Sequence, residues 1–165
     1  LATVRSRCRI VRMQPLGDDA MRRILREKDV PDARIDELIA LSSGSIGKAL
    51  DMQGDESYWA ARKLTRDTFL SVRDARDIPL AAKKLTDQKD QDARVLDILE
   101  EELSAMLRGA GERTPAFVGT GERAIRDMLD KTVLARRMRA SNVGWPAVAD
   151  QLLRFIAEEQ ASCQA

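Results

Sequence analysis

Asp92-Ala-Arg-Val-Leu-Asp-Ile-Leu-Glu-Glu-Glu-Leu-Ser-Ala-Met-Leu-Arg108 is the stretch that decides the fold class. Val95, Ile98, Leu99, Leu103, Met106 and Leu107 recur at helical spacing and make one apolar stripe, with charged residues between them. The same period continues on both sides. Downstream, Gly109–Pro115 reads as a linker, and residues 122–139 predict a helix with Ile125, Met128, Leu129, Thr132 and Val133 inward. Asn142–Pro146 supplies a turn and a proline at the start of a last helix that buries Val148, Leu152, Phe155 and Ile156. Ala161–Ala165 reads as a frayed end.

Upstream, Pro79 suits the first turn of a helix, where a missing N–H costs nothing. Residues 57–72 predict another helix, carrying Tyr58, Trp59, Ala61, Leu64, Phe69 and Leu70. Gln53-Gly-Asp-Glu56 marks a boundary, and three shorter helices precede it. The first is capped by Asp18 or Asp19 and turns Met21, Ile24 and Leu25 to one face, until Lys28-Asp-Val-Pro31 interrupts it. The second begins near Asp32 with Ile35, Leu38, Ile39 and Leu41 inward. A turn at Ser42–Ser45 leads into the third, from Ile46 to Met52. Residues 1–15 alone read as a strand and loop, from the β-branched Arg9-Ile-Val-Arg-Met13 and the closing Pro15. The expectation is an all-α chain of about eight helices, in a group of three and a group of five.

Composition narrows the function. The 28 Lys and Arg nearly balance the 27 Asp and Glu, so no net field argues for binding nucleic acid or a membrane. No apolar run approaches the roughly 20 residues of a membrane helix, and a cytoplasmic location is expected. Two cysteines 155 positions apart give neither a disulfide framework nor a zinc site. Histidine is absent, which removes the commonest general base and metal ligand. The chain lacks a start methionine, and it is read as the C-terminal part of a longer protein whose upstream portion held a nucleotide fold.

Gly44-Ser-Ile-Gly-Lys-Ala49 invites a phosphate-loop reading, and the spacing refuses it. The glycine needed five residues before the Gly-Lys pair is Ser42, and the Ser or Thr needed after the lysine is Ala49. Lys48 is then expected to be a solvated lysine. Cys8 has no histidine to activate it and is expected to pack rather than react. Arg136-Arg-Met-Arg139 reads as the cationic last turn of a helix, and a contact of Arg136, Arg137 or Arg139 with DNA stays open. Tyr58 and Trp59 are expected to pack the junction between the two helical groups. Arg5, Arg9 and Arg12 suit subunit contacts, phosphate contacts or plain solvation equally.

Ser6-Arg7-Cys8 sets a permanently charged, planar fork of donors between a hydroxyl and a thiol. This tripeptide resembles the serine-arginine-cysteine motif of bacterial DNA polymerase III clamp-loader subunits, members of the AAA+ family. In that family the arginine reaches into the ATP site of a neighbouring subunit. The resemblance extends to Gly44-Ser-Ile-Gly-Lys-Ala-Leu50, which looks like the family's lid element. The ATP-hydrolysing subunits carry there an arginine that contacts their own nucleotide, and Gly47 stands in its place. Glycine at that position is similar to the non-hydrolysing, delta-prime type of subunit.

The resemblance therefore implies three parts: residues 1–15 ending the AAA+ core, 16–53 forming a three-helix lid, and 55–165 forming the helical collar through which subunits assemble. It implies Arg7 as a trans-acting finger, with Ser6 and Cys8 as its motif neighbours. It implies no cofactor or metal in this chain, with ATP acting at the adjacent subunit, so that the isolated chain neither binds nor hydrolyses ATP. The implied partners are the ATPase subunits (gamma/tau), the delta subunit and, through the complex, the sliding clamp and primer-template DNA. Two other readings stay open: a gamma/tau-type ATPase subunit, and an AAA+ relative whose helical C-terminus binds DNA or a partner.

Overall fold

The computed structural model describes residues 13–87, 92–109 and 121–163. Among them are eight helices and no strand: α1 Asp18–Glu27, α2 Asp32–Ser42, α3 Ile46–Gly54, α4 Glu56–Ser71, α5 Ile78–Thr86, α6 Asp92–Leu107, α7 Glu122–Ala140 and α8 Trp145–Cys163. The expected strand at residues 9–13 lies outside the described residues apart from Met13, and residues 13–17 are irregular. None of the described helices is long and apolar enough to cross a membrane.

Local chemistry sets the boundaries. Gly17 is the N-cap of α1, so Asp18 and Asp19 lie inside its first turn rather than capping it, where their charge favours the helix dipole. Ser45 caps α3 by accepting from the Lys48 N–H at 3.4 Å. Asp55 caps α4 by accepting from the Tyr58 N–H at 2.9 Å. The Ser57 hydroxyl, that N–H and the nearby Arg94 hold the Asp55 carboxyl below the usual range. Pro79 occupies the first turn of α5, as its missing donor allows.

Two apolar cores form. The first is built by α1–α3 around Met21, Leu25, Ile35, Leu38 and Met52, and is completed by Tyr58, Ala61 and Ile98 from α4 and α6. The second joins α4–α8 around Phe69, Leu85, Leu96, Leu103, Ile125 and Leu153. Trp145 closes it near the start of α8, its indole N–H donating to the Leu85 carbonyl at 3.1 Å. α6 serves both cores and is buried well beyond the expected stripe: Leu96, Glu101, Glu102 and Ala105 are also inside, while Leu107 is half-buried.

Other helices turn differently from the simple stripe. On α7 the inward line is Ile125, Met128, Thr132 and Ala135, so Val133, expected inside, is 38% exposed beside the exposed Leu134. Phe155 is half-buried, with Leu153 and Ala157 taking the interior beside Leu152 and Ile156. The backbone of α8 stays helical to Cys163 rather than fraying from Ala161. On α4, Leu64 and Leu70 are half-buried, and Arg62, Thr65 and Thr68 are buried in their stead.

The hydroxyls of Thr65 and Thr68 have no hydrogen-bond partner among the described residues. An unsatisfied buried hydroxyl costs about 1–3 kcal/mol. Thr68→Val keeps the shape and removes that cost, so thermal unfolding should rise by about 2–4 °C. A lower Tm would show that the hydroxyl is satisfied after all, for instance by a bridging water.

Candidate functional site

Ser6, Arg7 and Cys8 lie outside the described residues, as do Arg5, Arg9 and Arg12. What is described begins at Met13, and there Pro15 and Leu16 meet the turn at residues 42–45. The Leu16 N–H donates to the Gly44 carbonyl at 2.9 Å. Gly44 has φ +77°, and a Cβ there would sit 2.7 Å from both the Leu16 oxygen and the Pro15 Cβ. Only glycine permits this approach. Ser43 before it is also left-handed, at φ +54°, so the turn is wound tightly between α2 and α3.

Gly47 is a different kind of glycine. It lies in the first turn of α3, exposed, and a Cβ built on it meets nothing within 4 Å. Neither backbone conformation nor crowding demands glycine there.

Lys48, expected to be solvated, is engaged. Its Nζ lies 2.8 Å from Glu101 Oε1, which ties the start of α3 to the middle of α6. Glu101 is buried and also accepts from the Tyr58 hydroxyl at 2.7 Å. Burial first, then the hydrogen bond and charge of Glu101, push the Tyr58 phenol well above its ordinary pKa. Beside it, Trp59 donates to the Met52 carbonyl at 2.8 Å and meets the Tyr58 ring edge-on at 5.3 Å. The guanidiniums of Arg34 and Arg62 lie 5.0 and 5.5 Å from the Trp59 ring centre. The aromatic pair therefore packs the junction of the two helical groups, as its position in the sequence predicts.

Arg62 is the most buried cation of the set. Its Nε donates to Glu102 and its Nη1 to Glu37, each at 2.6 Å. The basic cluster near the end of α7 is drawn inward too. Arg136 pairs with Asp97 at 2.8 Å and Glu100 at 3.0 Å, while Arg139 bonds Asp92 at 2.5 Å and the Val143 carbonyl at 2.7 Å. Partial burial raises the Asp92 carboxyl, but the Arg139 contact together with the backbone N–H groups of Ala93 and Asp92 outweighs it, leaving the pKa lowered. Arg136 and Arg139 thus fasten α7 to α6, whereas Arg137 is exposed.

These contacts frame a polar cavity of about 410 Å³ between the turn and α6, lined by Ser43, Lys48, Asp97, Glu100, Glu101 and Ser104. A smaller, more apolar hollow of about 190 Å³ lies between α7 and α8, where Lys131 sits 5.2 Å from the Phe155 ring centre. Among the described residues no group of three or more His, Cys, Asp or Glu could hold a metal ion. Chemically, the arrangement holds the 42–45 turn and the start of α3 in one orientation against α6. Glu101 and Glu102 escape a reading of the sequence because their partners stand about 40 residues or more away. The one signal is an acidic triplet, Glu100–Glu102, that runs beside the apolar stripe of the helix.

Comparison with protein-family models, with curated proteins and with solved structures finds no match.

Two outcomes are expected. Gly47→Ala should stabilise the chain by up to about 1 kcal/mol through helix propensity, whereas Gly44→Ala should destabilise it through clash and strain. Paired thermal melts test this, and equal shifts would refute the distinction between the two glycines. The second concerns alkaline pH. A phenol whose pKa is raised on folding contributes stability that is complete below the unfolded value near 10 and is lost as pH climbs beyond it. Tyr58 is the single tyrosine, so an ultraviolet titration reads it directly: ionisation should be displaced upward in the folded chain and normal in urea. Tyr58→Phe should remove that part of the alkaline loss.

Proposed function

We propose that this chain is the lid and collar portion of a bacterial DNA polymerase III clamp-loader subunit of the delta-prime type. In this reading it is a stator that does not hydrolyse ATP itself. It associates with the gamma/tau ATPase subunits and with delta, and it helps open the sliding clamp and load it on primer-template DNA. Arg7 enters the ATP site of the adjacent ATPase subunit.

The observation that carries the reading is Gly47. In ATP-hydrolysing subunits of this family the corresponding lid position holds an arginine aimed at the subunit's own nucleotide. Here it is a glycine on an exposed first turn with open space around it, so neither packing nor backbone strain accounts for the missing side chain. A gamma/tau-type subunit would carry the arginine. The three short helices followed by a larger helical bundle also fit a lid and a collar in order and number.

The chemistry follows from the guanidinium. A fixed positive fork beside the γ-phosphate stabilises charge that develops there during transfer, and one supplied in trans acts only when the interface is closed. ATP binding next door is thereby linked to ring geometry. Such a finger is worth roughly 10³–10⁵ in rate at the site it serves.

The test is reconstitution of the intact subunit with its ATPase partners, delta, clamp and primed DNA. Arg7→Ala should lower DNA-stimulated ATP turnover while the complex keeps its size on gel filtration. Turnover equal to wild type would reject the finger. If a mixture without the subunit also behaves as wild type, the clamp-loader assignment falls with it.

A further inference from the structure

The seam between the two helical groups carries a set of charged contacts beside its apolar ones. Arg62 on α4 is 8% exposed and donates to Glu37 on α2 and to Glu102 on α6, and Glu102 is itself buried. Lys48 and Tyr58 bring α3 and α4 to the same carboxylate, Glu101 of α6. From the far end of α6, the Arg108 Nη2 donates to the Ala40 carbonyl of α2 at 2.7 Å. To the first core, α4 and α6 contribute Tyr58, Ala61 and Ile98 as buried apolar residues.

We infer that Arg62 is a clasp that couples α1–α3 to the α4–α8 bundle, so that the two groups open as one body. A guanidinium this deep is tolerated because two carboxylates compensate it. Drawing α2 away from α4 and α6 removes Glu37 and leaves Arg62 and Glu102 as a pair at a newly wetted edge. Removing Arg62 instead leaves Glu102 as a buried, uncompensated carboxylate. Either change weakens the seam while sparing the second core, whose apolar residues lie elsewhere. The polar cavity at Ser43 and Lys48 lies along the same seam, beside the turn at residues 42–45. This inference does not depend on the proposed function.

Amide hydrogen exchange on the intact 165-residue chain tests it. In the wild type, the slowest amides of α2 and those of α8 should open with equal free energy, as one cooperative unit. In Glu37→Gln, which spares the more deeply buried partners, the α2 and α3 amides should exchange about tenfold faster, with those of α7 and α8 unchanged. Arg62→Met should enlarge the same regional difference. If it does not fold, Glu37→Gln decides alone. Acceleration shared equally by α2 and α8 would make Arg62 an ordinary contributor to global stability and overturn the clasp. Independent opening of α2 in the wild type, or no regional change in Glu37→Gln, would overturn it as well.

Discussion

Everything in the described structure leans on α6, a helix that must be buried on two sides while carrying glutamates at Glu100, Glu101 and Glu102. Its apolar residues divide between the cores: Ile98 faces the first, and Val95, Leu96, Leu99 and Leu103 face the second. Between those faces the acidic triplet would be an intolerable burden without cations. Arg136 meets Glu100, Lys48 meets Glu101 and Arg62 meets Glu102. Each cation comes from a different helix, so satisfying one helix's charges fixes the placement of three others. Net stability from such pairs is small or even negative compared with apolar packing, but an unpaired member is strongly penalised. Alternative packings are therefore excluded more firmly than the native one is favoured.

This constraint explains what could be read in the chain and what could not. Helical period, proline placement and the Ser42–Ser45 turn located all eight helices, because these signals are local. The inward residues of α2 were equally legible, since Ile35, Leu38, Ile39 and Leu41 are all apolar and all buried. Legibility failed where a helix buries polar groups or pairs with charges distant in sequence. Val133 and Ala135 exchange roles because Ala135, seven residues after Met128, continues the line of Ile125, Met128 and Thr132, whereas Val133 falls well to the side of it. Thr65 and Thr68 lie inside because α4 is gripped along that side, although threonine hydroxyls are poor core residues. Lys48 reads as a surface lysine until Glu101, more than fifty positions later, is brought beside it.

The candidate site was legible only in part. Its motif residues Ser6, Arg7 and Cys8 are a reading from residue type that falls outside the described residues, and the distinction between Gly44 and Gly47 could not be read from the sequence. Both are glycines of one turn, three positions apart. One is required by a positive φ and by contact with Leu16, and the other by nothing in its surroundings. That separation is useful for any reading of the turn, because it divides what holds the turn together from what the turn presents outward.

The placement of the two tryptophans gives the molecule a pair of internal reporters. Trp59 lies at the seam under two guanidiniums and beside the lone tyrosine, an arrangement in which nearby charge shifts and quenches indole emission. Trp145 lies in the second core, hydrogen-bonded to a carbonyl and remote in sequence from the seam. Emission from one half of the chain is thus spectrally tied to an ionic environment and from the other to a largely apolar one. Any ligand or partner that bears on only one half should recolour one indole and leave the other as it was.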